Sequence, residues 1–347
     1  MSKLIFVTGV SGFLAAQIVA QLVDEGHRVR GTARGNKVEA LRNLYKDQPS
    51  VEIVEVSDIA GAQFPEAFVG VDAVIHTASP TPGRAAPELV LKGAIEGSLN
   101  VLRQAEEAGI KKFVVTSSIA AVNGVPITDG KYSPDDWNPL TMEDAIDAHP
   151  FIVYEISKKY AELAVWEWAE AHPHVDVTTI NPPFIYGPFA TPSLPIAPGY
   201  FHGLSSNILV YNFVAPKGSY PPNPGNVDIR DVARAHTGAL RTPASVTGRK
   251  RVILSSPHKF VYKDVIELLK RERPQLADRI IQTPPPEQTY YNFVVDRKRI
   301  EEVTGLRDED FVPFEQMFLE GIDSCLQVEA GWKACGYTGT PFDIPPA

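Results

Sequence analysis

The stretch Val7-Thr8-Gly9-Val10-Ser11-Gly12-Phe13-Leu14-Ala15 limits what this chain can become more than any other. It follows the apolar run Leu4-Ile5-Phe6-Val7 and opens a helical pattern of Leu14, Ile18, Val19 and Leu22. A buried strand that passes through Gly-x-x-Gly-x-x-Ala into a helix brings backbone N–H groups to the positive helix end, where a dinucleotide pyrophosphate binds. Gly9 permits the tight turn, Gly12 removes the side chain that would block the phosphates, and Ala15 lets the helix lie close on the strand. Ser11, Phe13 and Leu14 complete the expected phosphate cradle. The strand before and the helix after favour this reading over an ordinary glycine turn. Only Met1 to Lys3 precede the first strand, so no signal or transit peptide is expected and the location read from the sequence is cytoplasmic.

Beyond the first helix, which the pattern ends near Asp24-Glu25-Gly26, His27 to Arg34 alternates as a second strand. An enzyme that uses NAD places an acid about 20 residues after the loop to bind the adenosine ribose. Here that neighbourhood reads Gly31-Thr32-Ala33-Arg34, with Lys37 just beyond and no acid. An arginine fork suits a ribose phosphate, so the expected cofactor is NADP(H). Val51 to Val56 reads as a third strand, and Asp58-Ile59 after it supplies a carboxylate that could meet the adenine amino group. Ala73 to His76 is a fourth, running into Thr77-Ala78-Ser79-Pro80 beside the cofactor; His76, between apolar neighbours, is expected to be a satisfied core imidazole. Leu89, Ile95, Leu99, Leu102 and Ala105 mark one helix face, and Phe113 to Thr116 is a fifth strand. Strand and helix alternate, which predicts an α/β fold with a parallel, doubly wound sheet of Rossmann type.

Ligands of such sheets lie at the carboxyl ends of the strands, which puts Ser117 and Ser118 near the nicotinamide. Tyr154 and Lys158 then stand four apart on a long helix, on one face. A nearby ammonium stabilises a phenolate, so the tyrosine is expected to have a lowered pKa suited to proton transfer. Trp166 and Trp168 cannot share a face, so at least one should cover the sheet. Val175 to Asn181 is a sixth strand, and Pro182, Pro183 and eight further prolines to Pro224 leave room for little regular structure. Phe184, Phe189, Phe201, Phe213 and Tyr220 within that segment suggest an apolar substrate wall, with Lys217 as its single Lys or Arg between Phe184 and Tyr220. Val227 to Ala233 resumes helical periodicity, Arg251 to Leu254 reads as a late strand, and two more apolar helix faces follow. The expected organisation is a nucleotide-binding domain over 1–181, joined by roughly 225–255, and a smaller C-terminal substrate-binding lobe over most of 182–347.

With 42 acidic against 33 basic residues, the formal charge of −9 argues against nucleic acid or an anionic membrane surface as partner. Cys325 and Cys335 lie far from any metal-ligand set, so no metal is expected and both should be plain thiols.

Gly9-x-x-Gly12-x-x-Ala15, Thr116-Ser117-Ser118, Tyr154-x-x-x-Lys158, Asn181-Pro182-Pro183 and Val227-Asp228-Ile229-Arg230-Asp231 together resemble the extended short-chain dehydrogenases/reductases. Val29 to Arg34 and Tyr154 to Lys159 are similar to the branch that holds dihydroflavonol reductases and fungal NADPH-dependent aldehyde, ketone and methylglyoxal reductases. The resemblance implies that Ser118 holds the carbonyl, Tyr154 donates the proton and Lys158 bonds the nicotinamide ribose. It places Asn123 against substrate and Pro182 to Ile185 along the nicotinamide. One departure is Ala94, which stands where many members carry an asparagine before Gly97, so the asparagine-and-water relay of those members is not implied here. The expected activity is reversible, NADPH-dependent reduction of an aldehyde or ketone by a monomer or homodimer, with Phe184 and Phe201 among the substrate contacts. A sugar-nucleotide epimerase or dehydratase would want NAD(H), an acid after the second strand and a polar site. A non-catalytic NADP-binding sensor would have little use for Tyr154 and Lys158 beside Ser118.

Overall fold

A computed structural model describes residues 2–80, 86–124, 130–246, 248–288 and 291–339. Strand and helix alternate through the first half except between β3 and β4, which only a short turn at Pro65–Phe68 separates: β1 (Leu4–Val7), α1 (Phe13–Asp24), β2 (Arg28–Ala33), α2 (Asn36–Leu44), β3 (Val51–Glu55), β4 (Ala73–His76), α3 (Pro87–Glu107), β5 (Lys112–Thr116), α4 (Pro150–Ala171) and β6 (Asp176–Asn181). After it come β7 (Phe184–Tyr186), α5 (Asn207–Tyr211), β8 (Asn226–Asp228), α6 (Ile229–Arg241), β9 (Lys250–Ile253), α7 (Tyr262–Glu272), α8 (Arg297–Thr304) and α9 (Phe314–Ala334).

Seven strands form one parallel sheet in the order β3-β2-β1-β4-β5-β6-β9. The chain winds outward from β1 to β3, then returns to place β4 on the other side of β1, with Ile5 opposite Ala73 and Val7 opposite Ile75. That reversal opens a crevice at the carboxyl ends of β1 and β4, where doubly wound sheets take their ligands. Both faces are covered, which explains why β1 is an unbroken apolar run and why β4 is buried along its whole length, His76 included. On one side α1 lies along α6 over Ile5, Val7, Ile75 and Val114; on the other α3 lies along α4 over Phe6, Val74, Phe113 and Val115. A third core, built from Tyr186, Phe213, Tyr262, Leu269, Phe318 and Ile322, belongs to the C-terminal elements.

Several expectations need correction. Leu89 is exposed, because it lies six residues before Ile95 and therefore off the face that buries Leu99, Leu102 and Ala105. The prolyl segment is not bare of regular structure: Phe184–Tyr186 pairs in parallel with Asn226–Asp228, and α5 follows. Val227 is thus a strand residue, and the helix begins only at Ile229, capped by the Asp228 carboxylate on the Arg230 N–H at 2.8 Å. Much of the segment's apolar content is lobe core, with Leu204 and Phe213 fully buried and Tyr220 edge-on to Phe213. Both tryptophans of α4 are buried, Trp168 edge-on to Phe113. Cys325 is a buried free thiol and Cys335 an exposed one.

Candidate active site

The loop from β1 to α1 has the geometry its residues predicted. Gly9 has φ +71°, and a Cβ there would stand 3.2 Å from the Ala78 Cβ. Gly12 caps α1 without a side chain, so the first turn of the helix presents its N–H groups unobstructed. Thr8 ties this loop to the end of β4: its hydroxyl accepts from Thr77 N at 2.9 Å and from Ala78 N at 3.0 Å, while the Thr77 hydroxyl donates back to Thr8 O. Thr32 braces the other side, taking Gly9 N on its hydroxyl and Val10 N on its carbonyl, each at 3.1 Å. His76 is held between the Thr8 hydroxyl at 2.9 Å and the Ser98 hydroxyl at 3.3 Å. Burial and the neighbouring Lys158 charge press its pKa down to about 3, so it is a neutral core imidazole and not a base.

β2 ends at Ala33 with Arg34 exposed at its tip, and Gly35 at φ +58° turns the chain into α2. Lys37 in the first turn of α2 points its ammonium at the Ser11 hydroxyl, 3.3 Å away. Two cations therefore border the phosphate loop where an acid would stand for NAD. Across the crevice the exposed Asp58 carboxylate accepts from Ala60 N at 3.0 Å, and Asn100 holds the Ile59 and Ala62 carbonyls at 2.9 Å each. The first part of the prolyl segment roofs the phosphate loop: Phe189 is edge-on to Phe13, and a cavity of about 230 Å³ lies between Ser11, Phe13, Tyr45 and Phe189 to Ile196.

Ser118 leaves β5 in an extended conformation and caps a short turn over Ile119–Ala121, its hydroxyl accepting from Ala120 N at 3.1 Å. Asn181, at the end of the neighbouring β6, holds the Ser118 carbonyl at 3.1 Å. Pro150 opens α4 at the position where its missing N–H costs nothing, and Tyr154 and Lys158 follow one turn apart, the ammonium 5.6 Å from the centre of the tyrosine ring. The structure thus joins Ser118, Tyr154 and Lys158, with the Ser118 hydroxyl bonded to the phenol. The expected lowering of the phenol pKa is not found. Burial raises it, Glu155 adds to the rise and only the Ser118 hydrogen bond opposes it. The ammonium is itself drawn down to about 8 by burial, partly offset by Glu162. Desolvation outweighs the cation that sequence spacing alone brings to mind.

On the substrate side, Asn123 is buried with its carbonyl held by Asn138 Nδ2 at 2.6 Å, while its Oδ1 has no partner among the described residues. An orphaned acceptor beside Ser118 is a natural place for a substrate donor. Phe184 lies stacked near Tyr186, and Phe201 is edge-on to Trp332 of α9. Ile185 packs on the core under the sheet, and Ile119 N donates to the Pro182 carbonyl at 2.9 Å, which fixes that strand end beside the Ser118 turn.

The sequence description of the NAD dependent epimerase/dehydratase family fits residues 5–253. The chain belongs to this family. Ketoreductase adrE of Penicillium roqueforti is 31% identical over 311 residues, which cover 86% of this chain and 89% of that protein. The NADPH-dependent methylglyoxal reductase of Saccharomyces cerevisiae is 27% identical over 326 residues, 87% of this chain and 93% of the yeast protein. Yeast methylglyoxal/isovaleraldehyde reductase, solved in complex with NADPH, matches with a TM-score of 0.78 at 26% identity, covering 94% of this chain and 99% of the other. The resemblance to extended short-chain dehydrogenases/reductases therefore holds along the chain.

Four residues of this family member escaped sequence reasoning. Thr8 and Asn138 organise the two loops, and Glu162 and Arg251 form a buried ion pair behind the site at 2.9 Å. Glu162 falls one turn after Lys158, a spacing that could have flagged it, but a glutamate on an amphipathic helix is ordinarily solvated.

Proposed function

We propose that this protein reduces an aldehyde or ketone to the alcohol, and oxidises the alcohol in reverse, with NADP(H) as cofactor. The observation that carries the reading is the Ser118–Tyr154–Lys158 cluster at the strand ends beside a glycine phosphate loop. When bound, NADPH supplies the hydride. Gly9, Ser11, Gly12, Phe13 and Leu14 hold its pyrophosphate, and Arg34 and Lys37 meet its ribose phosphate. Asp58 and Ile59 border the adenine, while Thr77, Ala78, Ser79, Ser117, Pro182 and Ile185 line its path to the nicotinamide end.

Ser118 and Tyr154 hold the carbonyl oxygen from two sides. Tyr154 gives that oxygen its proton, and a phenol kept neutral by burial is in the right state to donate. Lys158 steadies the cofactor ribose and favours the phenolate that remains. Asn123 Oδ1 takes a substrate donor, and Phe184 and Phe201 contribute to an apolar wall, so the preferred substrate is a mostly apolar carbonyl compound. Residues 1–181, with about 225–255, carry the cofactor, and most of 182–347 shapes the substrate side. The acid-free end of β2 disfavours the NAD-dependent epimerase reading.

The test is NADPH consumption, followed by absorbance, over a panel of aldehydes, diketones and aryl ketones. Turnover of at least one member with NADPH is the expected result; a protein that binds NADPH and consumes none of it with any carbonyl compound would refute the reading.

A further inference from the structure

Behind the proposed catalytic cluster lies a buried polar assembly centred on an ion pair. Glu162 and Arg251 are 2% and 1% exposed. The carboxylate is saturated: Oε1 accepts from Thr179 Oγ1 at 2.7 Å, Arg251 Nε at 2.9 Å and Trp166 Nε1 at 3.3 Å, and Oε2 from Asn181 Nδ2 at 2.6 Å, Ser117 Oγ at 2.8 Å and an Arg251 terminal nitrogen at 3.3 Å. Two of these partners control Ser118 directly. Asn181 Nδ2 also donates to the Ser118 carbonyl, and Ser117 is its chain neighbour. The guanidinium reaches the other way: its second terminal nitrogen donates to the Pro134 carbonyl at 2.9 Å and to the Asp136 carbonyl, and its central carbon Cζ lies 3.7 Å from the centre of the Trp137 ring. Next along that loop, Asn138 Nδ2 donates to the Ala120 and Asn123 carbonyls at 2.9 and 2.6 Å.

One guanidinium thus links three pieces that are distant in sequence: the edge strand β9, the helix that carries Tyr154 and Lys158, and the loop that closes over Ser118 and Asn123. We propose that Glu162 and Arg251 are positioning residues, which set where Ser118 and the substrate-side loop stand relative to Tyr154. Stability alone does not account for such a pair, since a buried ion pair can often be replaced by packed apolar groups without loss. Its geometry does work that apolar groups cannot: a planar fork with five donors satisfies a carboxylate and two carbonyls at once, whereas an ammonium is a point charge. Misplacing reacting groups by about 1 Å costs up to about 100-fold in rate, so a device that fixes Ser118 has a kinetic value far above its stability value.

This proposal rests on the reading of Ser118 and Tyr154 given above, and the experiment separates the two. Steady-state kinetics with NADPH and a reducible carbonyl compound, NADPH binding by fluorescence, and thermal melting are measured for Arg251→Lys, Glu162→Gln and the double variant Glu162→Gln with Arg251→Gln, with Tyr154→Phe in parallel. Arg251→Lys keeps a cation opposite Glu162 and releases the loop carbonyls. Its KM for the carbonyl compound should rise about tenfold with kcat and NADPH affinity little changed, because the loop moves and the catalytic helix does not. In Glu162→Gln an amide nitrogen replaces an acceptor oxygen against Asn181 and Ser117, and kcat should fall by about 10- to 100-fold. Should either single variant fail to fold, the double variant, which buries no unpaired charge, carries the test with the same loss of kcat. Variants that melt lower but keep wild-type kcat and KM would overturn the positioning role. Retained turnover in Tyr154→Phe would instead overturn the reading of the site, whatever the Arg251 variants do.

Discussion

Replacing Lys158 by methionine should make the cofactor-free protein more stable at neutral pH while it disables the enzyme. The side chain is 8% exposed, and burial brings its pKa from 10.5 to about 8, against the attraction of Glu162. A lysine with a lowered folded pKa penalises the folded state while it is charged, which is below about pH 8. Between about 8 and 10.5 the unfolded chain still holds the proton that the folded chain has given up, so stability rises with pH and the penalty disappears. One pKa unit corresponds to ~1.4 kcal/mol, which makes the penalty near pH 7 roughly 2–4 kcal/mol. Methionine keeps the unbranched stem and removes the charge, so Lys158→Met should unfold several degrees higher than wild type at about pH 7, with the gap narrowing as pH approaches about 10. Thermal or urea unfolding of both proteins at several pH values reads this directly. A variant that is less stable than wild type at neutral pH, or a gap that does not shrink as pH rises, would refute the assignment of a strained buried ammonium.

Further outcomes follow from the same geometry. Arg34→Ala removes one charge-assisted pair with the ribose phosphate, worth ~1.5–3 kcal/mol, and should weaken NADPH binding about 10- to 100-fold while leaving NADH binding nearly unchanged in a fluorescence titration; equal losses would refute the cofactor assignment. NADPH affinity of the wild type should decline above about pH 8, where Lys158 gives up its proton, and a titration that is flat from pH 7 to about 9.5 would separate Lys158 from cofactor binding. A hydrophobic aryl ketone should be turned over with a higher kcat/KM than a carboxylated or phosphorylated carbonyl of similar size, since Lys217 is the single Lys or Arg between Phe184 and Tyr220; a clear preference for the anion would reverse the reading of the substrate wall.

What the sequence revealed, and what it hid, has physical reasons. The nucleotide half was legible because its signals are local: Gly9 needs a positive φ, Gly12 a bare helix cap, and β1 is an apolar run covered on both faces. Tyr154 and Lys158 were legible as one helix face, and Arg34 as the residue where an acid was missing. The phenol's raised pKa was hidden because spacing gives a neighbour's distance but not the desolvation that outweighs it. Glu162 with Arg251 was hidden because the two are 89 residues apart and meet only when β9 joins the sheet beside β6. The pairing of β7 with β8 was hidden for the same reason, since Phe184–Tyr186 has three residues and prolines before and after it. Phe213 read as a wall because an apolar residue in a prolyl loop does not announce whether it faces a ligand or a core.

The central claim is that Tyr154 delivers the proton to a carbonyl oxygen held by Ser118. Tyr154→Phe keeps the ring and removes only the hydroxyl, so the measurement is single-turnover oxidation of bound NADPH by a carbonyl compound that the wild type reduces. The account predicts a rate lower by about 10²–10⁴-fold with NADPH affinity unchanged. A rate within a few-fold of wild type would show that another group protonates the product and would contradict it.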